Sequence, residues 1–417
     1  MKIFGQKGGN INTEIANTYV VSNKRLTLVA VLGIVLGLGV YIFMNSMVAG
    51  FDRISNESIF KSTPHIRVYK DSELSQSLLE KTYQNTVPLI VNPKIVPQNN
   101  TIIDPKSVIE IFRAQPDVLI ASPQVATSVF FNNGKSQLSA VAVGIIPDEA
   151  NAMFNLQSNI VEGSFDDLKN NSNGILLGVG IADKMSVRTG DNISITSQRS
   201  VNKIMKVVGL FQTNNSVVDK SKSYVNIASA QQLMKENTTF VTDININLKN
   251  PEDAPILAKS YSEITAYKVE DWEAANETMV AASRMRRIIV RLVSSTLMLV
   301  AGFGIYNILN MTISQKINDI AILKAMGFKG RDVIRIFVRQ ALTIGVIGML
   351  FGMGFASILV TVLQKVYVGG DIGYFPIRFE PTKFLQGGIF GLVITFLAGY
   401  LPARKAANVD PVSIFRK

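Results

Sequence analysis

The stretch Lys316–Arg339, KINDIAILKAMGFKGRDVIRIFVR, decides how this chain is read. It lies between two long apolar segments, and most of its charges are positive. A short basic loop between membrane spans belongs on the cytoplasmic side. Within it, Ile320–Met326 reads IAILKAM, interrupted only by Lys324. On a helical wheel Ile320, Ile322, Leu323 and Met326 do not gather on one narrow face, and Lys316, Asp319 and Lys324 do not share one either. A helix that is apolar nearly all round is a buried element. A cytosolic loop has no lipid in which to bury it. Two hosts remain: a groove on another protein, or the chain's own helical bundle. Gly327 follows as a C-cap glycine that ends the helix.

Composition supports a membrane setting. Of 417 residues, 47% are hydrophobic and only 18% charged, too apolar a balance for a soluble protein of this size. The net charge of +11 raises the question of nucleic acid. Many of the basic residues flank apolar segments, where they act as topology signals, so no nucleic-acid partner is expected. The chain has no cysteine, which removes disulfides, thiolate zinc sites and cysteine nucleophiles. Its one histidine, His65, excludes a multi-histidine metal site and reads as a surface residue before a strand.

Working outward, residues 1–25 carry Lys2, Lys7, Lys24 and Arg25 against Glu14, with Ile11, Ile15, Tyr19 and Val20 at helical spacing. They read either as an amphipathic helix along the inner membrane surface or as a partly ordered terminus. Residues 26–48 are uncharged and long enough to cross a bilayer core of about 30 Å. The run is too long for a signal-peptide core and lacks a clear cleavage site, so it reads as an uncleaved anchor.

Residues 49–276 form a polar domain outside the membrane. Strands are expected at His65–Tyr69, Val125–Phe131, Gln137–Gly144, Gly174–Leu177, Asp191–Thr196, Lys206–Phe211, Ser223–Ile227 and Thr242–Leu248. Helices are expected at Lys106–Arg113, near Ile181 and at Ala230–Glu236, and residues 71–103 read as loop. This is an α+β pattern in two subdomains. Asp148, Glu149, Glu162, Asp166 and Asp167 have no evident base or metal partner and read as solvated surface.

Residues 277–315 read as a stalk and second span. Arg284, Arg286, Arg287 and Arg291 precede the uncharged run Leu292–Gln315, on the outer side and against the positive-inside trend. Either these arginines contact headgroup phosphates or they snorkel into water. After the loop 316–339 come a third span at 340–364, an outside loop at 365–383 containing Asp371, a fourth span at 384–402 ended by Pro402, and a tail at 403–417. The GxxxG pairs Gly33/Gly37, Gly348/Gly352 and Gly387/Gly391 permit close helix approach. The expected fold class is an α-helical membrane protein with four transmembrane helices plus a large extracytoplasmic α+β domain between the first and second helices. Both termini are expected in the cytoplasm, in the inner membrane of a bacterium. No ionisable residue lies deep in a span, which argues against an ion-coupled carrier.

Two motifs carry a resemblance. DIAILKAMGFKGRDV (Asp319–Val333) and LPARKAANVDPVSIFR (Leu401–Arg416) closely resemble signatures of the FtsX-like permease family, which includes the permeases of lipoprotein-releasing and macrolide-exporting ABC systems. MVAGFDR (Met47–Arg53) and VRTGDNISI (Val187–Ile195) resemble further pieces of it. The resemblance implies that Asp319, Ile320, Ala321, Ile322, Leu323, Lys324, Ala325, Met326 and Gly327 form a coupling helix seated on a cytosolic ABC ATPase. The family more often has Glu where this chain has Asp319. No GxxxxGK[ST] phosphate loop occurs, so the ATPase, with its ATP and Mg, is another chain, and this chain itself binds no cofactor or metal.

The resemblance further implies a permease that extracts or exports a lipoprotein, lipid or other amphiphile by mechanical motion, without catalysis of its own. Its implied partners are a second permease copy or paralogue, a periplasmic carrier or adaptor, and membrane lipids. The alternative is a signalling permease that activates a cell-wall hydrolase. For transport, the candidate substrate residues are Met44, Met47 and Phe51 on the first span with Val290, Leu292 and Val293 on the second. Ordinary helix packing accounts for the same residues.

Overall fold

A computed structural model describes residues 11–22, 24–71, 101–213, 215–369 and 373–408. Nearly all of the loop read at 71–103, together with Asp371 and the tail beyond 408, lies outside the described residues. The chain divides into two compact units, residues 55–280 and the remainder.

Among the described residues the outer unit has ten strands: β1 (Ile66–Tyr69), β2 (Val118–Asn133), β3 (Ser136–Ile145), β4 (Ile160–Gly163), β5 (Gly174–Gly178), β6 (Asn192–Ser197), β7 (Asn202–Phe211), β8 (Lys222–Asn226), β9 (Asp243–Leu248) and β10 (Lys268–Asp271). The long strand β2 pairs with three others. Its first half pairs with β9 at the edge of a β10–β1–β9 sheet, and from Val125 onward it pairs with β3. Pairings β2–β3–β8–β5–β7–β6 then return to β2, so these six strands close on themselves. Closure removes exposed edges. Inside lie alternate residues of each strand, among them Val129, Phe131, Ile175, Ile193, Val207 and Val225. A second core, with Ile66, Val68, Phe112, Ile244, Ile246 and Trp272, sits under the other half of β2. A third core, with Val143, Phe154, Leu168, Leu176, Phe211 and Tyr224, completes this α+β unit.

The placement of His65 differs from the surface position read from sequence. It is buried, with its ring edge-on to Phe60 at 5.0 Å. Its Nδ1 accepts the Leu248 N–H at 2.9 Å. Because β1 is flanked by β9 on one side and β10 on the other, the residue entering it is covered. Burial holds the imidazole pKa below its usual value, the neutral form that an accepting Nδ1 requires. Of the acids read as surface, Asp148 meets Lys169 at 2.6 Å and Glu149 meets Arg113 at 2.7 Å.

Among the described residues, four helices are long and apolar enough to cross a bilayer: Lys24–Phe60, Glu277–Gln315, Gly330–Leu363 and Pro381–Ala407. They are called here the first to fourth spans. In lipid the backbone must satisfy its own hydrogen bonds, so uninterrupted apolar sequence folds as helix. On the first span Ala30, Ile34, Leu38 and Ile42 recur every fourth residue and are buried, whereas Leu28, Val29, Leu32 and Leu36 face outward. The buried row meets Met298, Ile305, Ile344, Ala356 and Ile394 of the other three spans.

Pro402 does not end the fourth span. The helix passes through it to Ala407, and Pro402 is itself buried. A proline forfeits one helical hydrogen bond but is tolerated in a span whose neighbours enclose it.

The three GxxxG pairs, alike in sequence, are not alike in packing. A methyl at Gly348 would lie 2.7 Å from Ile34, and one at Gly387 2.7 Å from Ile42, whereas Gly33 has nothing within 4 Å. Hence Gly348→Ala forces the first and third spans apart and lowers stability by about 1–3 kcal/mol, the usual cost of overpacking. Gly33→Ala leaves stability unchanged or raises it slightly. Thermal unfolding of both variants in detergent distinguishes the two sites; equal melting temperatures would refute this packing.

Candidate functional site

Between the second and third spans lies a short helix, Ile317–Ala325, that closes with a Schellman turn. Phe328 N–H donates to the Leu323 carbonyl at 3.1 Å, and Gly327 N–H donates to that of Lys324 at 3.1 Å. Gly327 has φ +99°, a conformation that favours glycine over any residue with a side chain. The third span then begins at Gly330, with Asp332 accepting the Lys329 N–H at 3.1 Å.

The helix has two faces, and this changes the all-round reading. Ile320 and Ala321 are fully buried, and Ile320 belongs to a cluster drawn from every neighbouring element. Ile313 comes from the second span, Val333, Ile336 and Phe337 from the third, and Ala403 and Ala406 from the fourth. Leu323 and Lys324 are half-buried, and the Lys324 ammonium donates to the Ala407 carbonyl at 2.9 Å. Asn318, Ile322, Ala325 and Met326 are exposed, at spacings that place them on one side. Ile322 is 47% and Met326 65% exposed. Gly327 is exposed too, and the half-exposed Asp319 pairs with Lys316 at 3.1 Å.

The N-terminal helix Ile11–Ser22 completes this cluster. Ala16 and Tyr19 are buried in it, Tyr19 stacks on Phe337 with centroids 5.9 Å apart, and Arg339 donates to Thr13 Oγ1 at 2.7 Å. Burial, aided by the Asp319 carboxylate, pushes the Tyr19 phenol pKa up. Its described residues therefore form part of the bundle rather than a separate surface helix. The signal was present in the spacing of Ile15 and Tyr19; their partner was not.

At the other end of the spans, Met44, Met47 and Phe51 are half-buried, Val290 is buried, and Leu292 and Val293 are exposed. A groove of about 370 Å³ between the first and second spans is lined further along both helices, from Val29 to Val40 and from Leu297 to Ile308. None of the six predicted residues lines it.

The arginines of the second span have a partner that the sequence reading missed. Asp52 sits at the outer end of the first span, where Arg286 reaches one carboxylate oxygen at 2.6 Å and Arg287 the other at 2.9 Å. Arg286 also lies over the Phe51 ring, 5.6 Å from its centroid, and Phe51 meets Phe375 edge-on at 5.8 Å. Two of the four arginines thus clamp the first span to the second. Seven residues earlier on the first span, Asn45 donates to Ser294 Oγ at 3.2 Å across the same pair of helices. The clue was the acid inside MVAGFDR, the nearest carboxylate on the first span to a run of arginines on the second.

Four spans, one large outer domain between the first two, and a short capped helix between the second and third define a permease-type membrane protein. Residues 27–263 match the MacB-like periplasmic core domain and residues 291–411 the FtsX-like permease C-terminal region, so the chain belongs to this family of ABC transporter permeases.

Among its relatives, the lipoprotein-releasing system transmembrane protein LolC of Neisseria meningitidis serogroup B is 24% identical, covering 94% of each chain. LolE of Haemophilus influenzae is 24% identical over 92% of each. The periplasmic region of MacB from Actinobacillus actinomycetemcomitans aligns with 53% of this chain and 94% of its own, at 10% identity and a TM-score of 0.34, too distant to inform the details of the fold.

The clamp is testable. Asp52→Ala leaves two guanidinium groups facing each other and lowers stability by about 1–3 kcal/mol, as expected for charge-assisted bonds with partial burial. In a double-mutant cycle, Asp52→Ala and Arg287→Ala couple by about 1 kcal/mol or more. Additive effects in thermal unfolding would show the pair to be incidental.

Proposed function

We propose that this chain is the membrane subunit of an ATP-driven transporter that extracts or exports a lipoprotein, lipid or similar amphiphile, powered by a separate ABC ATPase. The observation that carries the reading is the division of the helix Ile317–Ala325 into a buried and an exposed face. An apolar face of Ile322, Ala325 and Met326 at the end of a helical bundle suits a groove on another protein. Similarity to LolC along nearly the whole of both chains favours lipoprotein release over signalling.

The geometry supports transmission of force. The ATPase, holding ATP and Mg, grips the exposed face and closes as a dimer. Because Ile320 is buried among the second, third and fourth spans, the short helix cannot shift without moving them. The third span is one uninterrupted helix, and close contacts pass its movement to the first: a methyl at Gly348 would already meet Ile34. ATP binding drives this change only by favouring one of two states of the permease. Two permease copies, or a copy and a paralogue, pair over two ATPases, with both termini of each in the cytoplasm and a carrier or adaptor on the periplasmic side. The chain supplies no catalytic group to the cycle.

Ile322→Asp and Met326→Asp place a charge on the exposed face, where folding is unaffected, and desolvating it against the ATPase costs several kcal/mol. The expected result is a permease with the wild-type melting temperature that no longer co-purifies with its ATPase, with permease-stimulated ATP hydrolysis reduced about tenfold or more. Unchanged co-purification and stimulation would overturn the assignment of this face.

A further inference from the structure

The outer unit contains a pocket of about 260 Å³ that the transport reading leaves unused. It is lined by Ser62–Pro64, which follow the first span in the chain, and by Ala275 and Asn276, which precede the second. Strands β1, β2, β3, β8, β9 and β10, with Phe154, supply the rest.

Lys222, the first residue of β8, is only partly exposed, and its ammonium donates to the Ser62 carbonyl at 3.2 Å. An ammonium has three donors, and taking one out of water with few acceptors is unfavourable unless an anion joins it. The other charges facing the pocket are largely committed. Arg67 is held by the buried Asp243, its Nε 2.6 Å from Oδ1. Asp271 caps the helix that follows it, accepting the N–H groups of Glu273 and Ala274 at 2.8 and 3.1 Å. Glu270 lies opposite Arg67 in the β1–β10 register.

Apolar side chains, among them Val141, Val143 and Phe154, and polar neutral groups complete the lining. Tyr224 lines the wall, and Asn245 donates to Gln124 at 2.6 Å while its own buried Oδ1 has no partner. Burial, and the nearby Arg67 cation, push the Lys222 pKa down, although Asp243 opposes this. An arriving anion reverses that shift, so its binding and Lys222 protonation reinforce each other.

We propose that this pocket binds a single phosphate or carboxylate group, with the Lys222 ammonium as its principal contact. Glu270 at the wall disfavours ligands that carry several negative charges. The group arrives either on a soluble anion or as the headgroup of a lipid.

The test uses the full chain in a neutral maltoside detergent and isothermal titration calorimetry with two probes, inorganic phosphate and a short-chain phosphatidylglycerol below its micellar concentration. Saturable binding of phosphate supports a soluble anion, and binding of the lipid alone supports a headgroup. In either case Lys222→Met weakens binding about tenfold, the loss of one charge-assisted hydrogen bond. Lys222→Met keeps the aliphatic stem and removes a poorly paired charge, so its melting temperature is expected to equal or exceed that of the wild type. Wild-type affinity falls as the pH is raised and Lys222 loses its proton. Absence of saturable binding by both probes, or equal affinity in Lys222→Met, overturns the proposal and leaves the pocket to water.

Discussion

Ile320 loses all contact with solvent because three spans and the N-terminal helix converge on it. Burying a side chain of this size is worth about 2–3 kcal/mol. The consequence for function is mechanical rather than energetic. A close-packed interior resists deformation, so a helix anchored through Ile320 and Ala321 moves with its neighbours or not at all. The same short segment leaves Ile322 and Met326 exposed.

Small residues extend that constraint through the membrane. Lipid gives helices little hydrophobic reason to associate, so contact depends on close approach and van der Waals packing. Glycines at Gly348 and Gly387 bring the third and fourth spans onto Ile34 and Ile42 of the first. At the outer end polar groups take over. Asp52 between Arg286 and Arg287, and Asn45 on Ser294, tie the first span to the second. A permease held by packing at one end and by ions at the other has different sensitivities there: volume changes disturb the first, charge changes the second.

Much of this was legible in the sequence. Long uncharged runs gave the spans, strand alternation gave the α+β outer domain, and two motifs gave the family. What failed was partnership across distance. Periodicity places Asp52 on a helix and the arginines on another but does not say that they meet. His65 looked exposed because a short strand's position within its sheet depends on β9, which is far away in the chain. Pro402 looked like a terminator because local preference ignores the interior that encloses it. The short helix looked apolar all round because the sequence does not reveal which half the bundle covers. β2 showed only its second half, since pairing with β9 begins ahead of the alternating run.

The absence of cysteine makes the central claim directly measurable, since single cysteines can be introduced without background. Cysteines at Ile320, Ile322 and Met326 would be labelled with a maleimide in membranes, with and without the ATPase. A two-faced coupling helix predicts that positions 322 and 326 label readily in the permease alone and become protected when the ATPase binds, while position 320 stays unreactive throughout. Equal labelling of all three positions, or no protection of 322 and 326 by the ATPase, would contradict the account.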